Sequence, residues 1–142
     1  MFVVSDEIAT HGFGGSAEHN DYPLRYIDAE EGWIGDFRIV DVRMLNDGHN
    51  DLSDYKLNLE RIKSYLQIGN KVVICCESGQ SRSNGMALLT LVKFYKMKFY
   101  DAFELVNKNP MCNIDEDILT DIKELLHINS LTELTNFKQS SV

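Results

Sequence analysis

The sequence is poor in cysteine and in cations, and it lacks a long apolar run. Its three cysteines, Cys75, Cys76 and Cys112, are too few for a disulfide framework and lack the paired spacing of a zinc site. Fourteen Lys and Arg stand against 22 Asp and Glu, so the net charge of −8 disfavours nucleic acids and anionic membranes as partners. The longest apolar stretch, residues 86–92, is far shorter than the roughly 20 residues that cross a bilayer. We therefore expect a cytoplasmic protein with reduced thiols.

The composition is that of one globular domain. Hydrophobic residues make up 44% of the chain and charged residues 25%, which excludes a mostly disordered protein. A length of 142 residues supports one core. We expect a single domain over residues 1–142, with a monomer favoured. Residues 1–36 give few clear signals, and residues 129–142 are a weakly amphipathic tail.

Strand and helix signals alternate from residue 37 onward. Residues 37–42 and 71–75 are β-branched runs, and the second lacks alternation, as expected for a buried parallel strand. Helices are predicted over residues 83–94, 100–107 and 115–127, and around the stripe Tyr55, Leu59, Ile62 and Leu66. The order predicts an α/β fold, with a mainly parallel twisted central sheet flanked by helices on both faces. Weaker signals suggest strands at residues 1–5 and 24–27, with an acidic loop over residues 30–36.

The strongest functional signal lies between the strand 71–75 and the helix 83–94. It reads Cys76-Glu77-Ser78-Gly79-Gln80-Ser81-Arg82-Ser83, and we call residues 76–83 the cysteine loop. Backbone N–H groups of such a loop can converge at a helix N-terminus, which makes a cradle for an anion and favours a thiolate. An arginine can hold two phosphoryl oxygens at once, and a glycine allows close backbone approach.

These residues resemble the signature of the protein tyrosine phosphatase superfamily, His-Cys-x-x-Gly-x-x-Arg-Ser/Thr, and in particular the compact dual-specificity phosphatases. The resemblance extends over about residues 37–126. It implies that Cys76 attacks phosphorus, that Arg82 binds the phosphoryl group, and that Ser83 eases departure of the thiolate. It further implies phosphate binding along the loop backbone, by Glu77, Ser78, Gly79, Gln80, Ser81 and Arg82. No metal and no cofactor is implied.

The resemblance also requires an aspartate from an upstream loop as general acid. Asp41, Asp47, Asp51 and Asp54 are the candidates. We favour Asp47, which lies in the polar run 46–50 at a suitable distance ahead of Cys76. Asp41 belongs to the predicted strand, and Asp51 or Ser53 is a candidate helix cap.

Several residues receive a plainer interpretation. Cys75 stands where the family has histidine, so we expect reduced rather than abolished activity, with the Cys75 side chain in the core on the face opposite Cys76. Residues 12–15 are interpreted as a turn. The acidic run 115–117 is interpreted as a helix N-terminus, not a metal site, and the four histidines as solvated or capping residues.

The sequence thus predicts a phosphatase acting on phosphotyrosine, with phosphoserine and phosphothreonine as further substrates, in proteins or peptides. One alternative is a phosphatase of a non-protein phosphomonoester. Relatives that act on polyanions tend to carry Lys or Arg in the loop, whereas this chain has Glu77 and Gln80. A second alternative is a phosphopeptide-binding module with little turnover, which the missing histidine suggests.

Overall fold

The structure, a computed structural model, describes residues 1–12, 32–42, 44 and 50–127. Within these residues there are five strands and four helices. The strands are β1 (Phe2–Val3), β2 (Ile8–Gly12), β3 (Trp33–Ile34), β4 (Phe37–Asp41) and β5 (Lys71–Cys76). The helices are α1 (Leu52–Gln67), α2 (Arg82–Lys93), α3 (Phe99–Val106) and α4 (Glu116–Leu125). The strand expected at residues 24–27 lies outside the described residues.

The five strands form one mixed sheet in the order β1-β2-β5-β4-β3. The three central strands are parallel, as predicted, whereas the edge strands β1 and β3 pair antiparallel with their neighbours. In the register, Gly12 is opposite Cys76, and Asp41 is opposite Cys75. The carboxyl ends of the three parallel strands therefore meet at one edge of the sheet, where the cysteine loop begins.

Two strands depart from the sequence prediction. The acidic loop expected over residues 30–36 is wrong, because Trp33–Ile34 pairs with the start of β4 in a tight hairpin. Gly35 adopts a φ of 60° in its turn, a left-handed conformation that suits glycine. Strand β2 was not predicted at all. Its first three residues are buried, so it shows no alternation of polar and apolar residues.

Helices cover one face of the sheet in the described residues, so the prediction of helices on both faces holds there for one face only. Residues of all four helices form the main core with Val72, Ile74 and Cys76, which project from the same face of β5. The alternate residues Val73 and Cys75 belong to a smaller cluster on the other face. This separation follows from the two-residue period of a strand.

The helix predictions agree closely with the structure. The stripe on α1 is buried, and α2 buries nine residues in succession, as expected for a central helix. The Asp115 carboxylate accepts a hydrogen bond of 2.8 Å from Asp117 N, which confirms the interpretation of the acidic run as a helix cap. The described residues include no cluster of three metal-ligating side chains. Among them, no helix combines the length and apolar character needed to span a membrane.

Candidate active site

The Cys76 thiol lies at the end of β5, where donors from the cysteine loop and from α2 converge on it. Gly79 N donates to Sγ at 3.3 Å and Ser83 N at 3.4 Å. The Ser83 hydroxyl lies 3.3 Å from the same sulfur. Both side chains are buried, with Cys76 1% exposed and Ser83 fully covered. Two backbone N–H groups thus donate to the sulfur, and the Cys76 thiol donates to the Ser83 hydroxyl, which can donate in turn to a thiolate.

The backbone of the cysteine loop offers further donors. The N–H groups of Glu77, Ser78, Gln80 and Ser81 donate to no other atom of the described residues. Successive unpaired N–H groups beside a helix N-terminus make an anion-binding concavity. The loop can therefore accept an anion through its main chain, although Glu77 contributes a carboxylate at its first position.

Arg82 is the only cation of the loop, and it is largely covered. Its guanidinium is oriented by Met44 O, which accepts from Nη1 at 3.2 Å, and by the Glu77 carboxylate, 3.9 Å from Nη2. Its side chain is 17% exposed. Nε is buried and donates to no atom of the described residues. A buried cationic donor without a partner is costly unless a ligand accepts from it, so Arg82 fits an anion site.

Strand β2 supports the loop through direct backbone contact, which the sequence did not reveal. A Cβ on Gly12 would collide with the Ser78 carbonyl carbon, and one on Gly79 would lie 2.7 Å from Gly12 N. Gly79 also adopts a φ of 72°. Gly12 was interpreted as part of a plain turn, which is wrong, because it ends β2 and packs against the cysteine loop. No motif marks such a residue, since the contact depends on strand pairing.

Asn84 is a second supporting residue that sequence reasoning missed. Its Nδ2 donates to Gly79 O at 3.0 Å and to Gln80 O at 2.9 Å. Because C=O and N–H point in opposite directions in a trans peptide, these bonds turn the N–H groups of Gln80 and Ser81 away from Asn84. The signal that the sequence offers is an asparagine near the start of a helix that is apolar nearly all round, where a polar side chain needs a hydrogen-bond partner.

The segment before α4 fixes the other side of the loop. Asn113 N donates to Gln80 O at 2.9 Å, and Asp115 N donates to Ser81 Oγ at 2.7 Å. These bonds, with those of Asn84, use the carbonyl and hydroxyl oxygens of the loop and leave its N–H groups available. The loop is thus held from β2, from α2 and from the start of α4.

The four candidate general acids differ in their position in the fold and in their exposure. Asp47 lies outside the described residues. Asp51 is the exposed N-cap of α1, and its side chain makes no capping hydrogen bond. Asp54 lies in the first turn of α1, and Asp41 is 1% exposed at the end of β4. Among the described candidates, only Asp51 is freely accessible.

The end of the polar run 46–50 is tied to the fold by a buried carboxylate. Asp121 Oδ2 accepts from Asn50 N at 3.0 Å and from the Tyr55 hydroxyl at 2.7 Å. Burial and the bond to Asp121 raise the pKa of Tyr55 well above its usual range. The tyrosine therefore remains a neutral donor to Asp121 at ordinary pH.

Cys75 takes no part in this arrangement. Its thiol is fully buried in the smaller cluster, 3.8 Å from Val73 O, on the face opposite Cys76 as predicted. Burial, and secondarily the nearby Cys76 and Asp41, raise the pKa of Cys75 above its usual range. A neutral thiol at this place supplies none of the charge that an imidazolium would. All three cysteines are free.

Comparisons with known proteins identify the family and the fold. A family model described as the Rit1 DUSP-like domain matches residues 48–130, more than half of the chain. The fold is similar to that of Tk-PTP in the active form, with a TM-score of 0.63 and 17% identity over 87% of this chain and 93% of that chain. It is also similar to human DUSP28, with a TM-score of 0.60 and 14% identity over 87% and 90% of the two chains. A mouse putative dual specificity phosphatase complexed with zinc tungstate gives a TM-score of 0.62 and 16% identity over 97% and 89%. No curated protein matches the sequence significantly. The fold is therefore that of a dual-specificity cysteine phosphatase.

Proposed function

This chain belongs to the Rit1 DUSP-like domain family, and from that premise we propose that it is a cysteine-dependent phosphatase of phosphotyrosine, phosphoserine or phosphothreonine in proteins. One observation carries the proposal. Gly79 N, Ser83 N and the Ser83 hydroxyl all lie within 3.4 Å of the Cys76 sulfur, beside the unpaired Nε of Arg82. A stabilised thiolate next to a cationic anion receptor is what nucleophilic attack on a phosphate ester requires.

The proposed reaction has two steps. In the first, the Cys76 thiolate attacks phosphorus, an S–P bond forms, and the P–O bond to the substrate breaks as its oxygen takes a proton from the general acid. In the second, water attacks phosphorus and gives a proton to the same carboxylate, and the S–P bond breaks. The Ser83 hydroxyl, 3.3 Å from the sulfur, donates to the departing thiolate. The products are a free hydroxyl group and inorganic phosphate.

Arg82 and the loop backbone bind the phosphoryl group in both steps. Met44 O and Glu77 hold one edge of the guanidinium, which leaves Nε available to the equatorial oxygens. The unpaired N–H groups of Glu77, Ser78, Gln80 and Ser81 supply the remaining donors. Preorganised donors of this kind stabilise charge as it moves in the transition state.

Asp47 is the proposed general acid. It stands three residues after Met44, which contacts Arg82, and three before Asn50, which is tied to Asp121. Three extended residues span at most about 10 Å. One end of its segment is therefore fixed at the site through Met44 and the other is anchored to the fold through Asn50, whereas Asp41 is buried in the sheet.

Turnover of p-nitrophenyl phosphate and phenyl phosphate in the presence of EDTA and reductant tests the proposal. We expect Cys76→Ser to abolish turnover of both substrates. We expect Asp47→Asn to slow phenyl phosphate about 10²-fold and p-nitrophenyl phosphate much less, because the better leaving group needs little protonation. Asp51→Asn is the matched control and should retain activity. Loss of activity in Asp51→Asn instead would contradict the choice of Asp47, and full activity of Cys76→Ser would contradict the mechanism.

A phosphopeptide-binding module is the second candidate function, and the burial of Cys75 favours it. Without an imidazolium at this place, a Cys76 thiolate would depend on Gly79, Ser83, Arg82 and the N-terminus of α2. This function predicts that the folded protein binds tungstate or a phosphotyrosine peptide and releases no phosphate. Glu77 on the loop disfavours substrates with additional phosphate groups, which makes a polyphosphorylated small molecule the weaker alternative.

A further inference from the structure

A groove lined by lysines lies on the helical side of the molecule, away from the cysteine loop. Lys56 and Lys63 project from α1, Lys93 from the end of α2, and Lys96 from the segment that follows. They border a cavity of about 410 Å³ that also contacts Leu59 and Leu125. We call this surface the lysine groove. It concentrates cations in a chain whose net charge is −8.

The lysines of the groove are available to a ligand. Within the described residues, Lys56, Lys93 and Lys96 form no ion pair, and Lys63 pairs only with Glu60, at 3.4 Å. Glu124 is the one carboxylate among the described residues that line the cavity. Like charges held close together repel one another, so an anion that neutralises them binds favourably.

Two residues of the rim have an unusual backbone conformation. Lys96 has a φ of 61° and His127, at the end of α4, a φ of 57°. They are the two non-glycine residues with positive φ in the described chain, and both line the groove. Glycine would adopt this conformation without strain. At both places the chain instead carries a basic residue.

We propose that the lysine groove binds an acidic, leucine-bearing segment of the phosphoprotein substrate. The rim supplies positive charge for glutamate or aspartate side chains. Leu52 is the partly buried leucine of the lining, whereas Leu59 and Leu125 are core residues with 8% of their surface exposed, so the groove offers a small apolar contact for one aliphatic side chain. The described lining contains no Phe, Tyr or Trp, and His127 is the one ring on which a base could stack, so a peptide fits it better than a single-stranded nucleic acid, which needs successive stacking platforms. The proposal rests on the proposed function for its claim that the peptide belongs to a substrate.

The distance to the active site sets the expected arrangement of that substrate. Helix α2 runs from Arg82 in the cysteine loop to Lys93 in the groove, and its 12 residues span about 17 Å. An extended peptide covers this distance with about five residues. The acidic segment is therefore expected at least that far from the phosphorylated residue.

Peptide binding by Cys76→Ser protein, followed by fluorescence anisotropy, tests the groove independently of catalysis. The probe is a labelled peptide with two leucines among glutamates, and the comparison peptides carry glutamine for glutamate or glycine for leucine. We expect the double variant Lys56→Glu with Lys96→Glu to bind the probe with an affinity about tenfold lower than that of the protein without these two changes. The matched control, Lys98→Glu with Lys108→Glu, makes the same charge change at exposed lysines that do not line the groove. It should change binding less than about twofold, since long-range effects are screened by salt.

Several outcomes would overturn the proposal. They are equal binding by both double variants, equal binding of the glutamine or the glycine peptide, and tighter binding of a single-stranded RNA to the groove than of the probe.

A kinetic experiment separates this proposal from the proposed function. With a phosphotyrosine peptide that carries the acidic segment, Lys56→Glu with Lys96→Glu should raise KM about tenfold and leave kcat and p-nitrophenyl phosphate turnover unchanged. An unchanged KM would contradict delivery of substrate by the groove. No turnover by any variant, with the anisotropy result as expected, would refute the phosphatase and leave the groove as a peptide site.

Discussion

Replacing Gly12 by alanine tests whether strand β2 supports the cysteine loop. The new Cβ would overlap the Ser78 carbonyl carbon and lie 2.6 Å from Gly79 N, whereas ordinary contacts begin at 3.4 Å. All these atoms belong to the backbone, so no side chain can rotate away. The steric overlap can therefore be removed only if β2 and the cysteine loop separate by nearly 1 Å.

The size of the effect follows from that displacement. Overpacking of this kind costs about 1–3 kcal/mol of folding free energy, which corresponds to a Tm lower by about 3–10 °C in a domain of this size. A displacement of about 1 Å at a reacting centre costs about 10²-fold in rate. The displaced atoms belong to the Ser78–Gly79 peptide, whose N–H donates to Cys76 Sγ. We expect kcat/KM to fall far more than the loss of stability alone would cause.

Thermal unfolding and turnover of p-nitrophenyl phosphate, measured on the same preparations, give both quantities. Gly35→Ala is the control, because Gly35 has a φ of 60° but open space around a Cβ, so alanine there costs stability without touching the loop. We expect Gly35→Ala to lower Tm and keep full activity at temperatures where it is folded. Wild-type kcat/KM in Gly12→Ala, or an equal loss in Gly35→Ala, would refute the reasoning.

Three further predictions concern buried and partly buried polar groups of the fold. Burial raises the pKa of Cys75 and raises that of Cys112 to about 11, so these thiols ionise first in the unfolded chain. Tm should therefore fall as pH rises from about 9 to about 11, and less steeply in Cys112→Ala; a constant Tm in this range would contradict the assignment. Asn84→Ala removes the donor to Gly79 O and Gln80 O, so it should lower the free energy of unfolding by about 1–3 kcal/mol and weaken tungstate binding. Thermal unfolding with and without tungstate measures both effects, and unchanged binding would show that the loop does not need Asn84. Tyr55→Phe removes one of the hydrogen-bond donors to Asp121 and should lower the free energy of unfolding, measured in urea, by about 2 kcal/mol. The control Tyr95→Phe removes a hydrogen bond to the less buried Glu7 and should lower it less, so equal losses would contradict a special role for the buried pair.

Sequence patterns predicted the elements whose periodicity is local. Helix α1 is buried along one face and therefore carries an apolar stripe, whereas α2 is buried all round and is therefore apolar on nearly every side. Both patterns can be recognised within the helix itself. The cysteine loop was predicted because its residue types are tied to a chemistry that tolerates few alternatives. Gly79 N, Ser83 N and the Ser83 hydroxyl lie within 3.4 Å of the Cys76 sulfur, and the catalytic roles of these residues stay a prediction.

The support of the loop could not be predicted in the same way. Gly12 contacts Ser78 because β2 lies beside β5, and that pairing joins residues more than sixty positions apart. Strand β2 itself is short and begins with three buried residues, so its sequence lacks the alternation that marks an exposed strand. The buried pair of Tyr55 and Asp121 is likewise distant in sequence, and each residue alone resembles an ordinary member of a helix.

The most direct test of the account is a search for phosphate on Cys76. Ser83→Ala removes the hydroxyl 3.3 Å from the sulfur and should slow hydrolysis of the intermediate more than its formation. When this variant is mixed with p-nitrophenyl phosphate, quenched in acid and analysed by mass spectrometry, we expect one added phosphoryl group on the peptide that carries Cys76. Turnover by the folded protein without that adduct, or the same adduct in Cys76→Ser, would contradict a phosphocysteine mechanism.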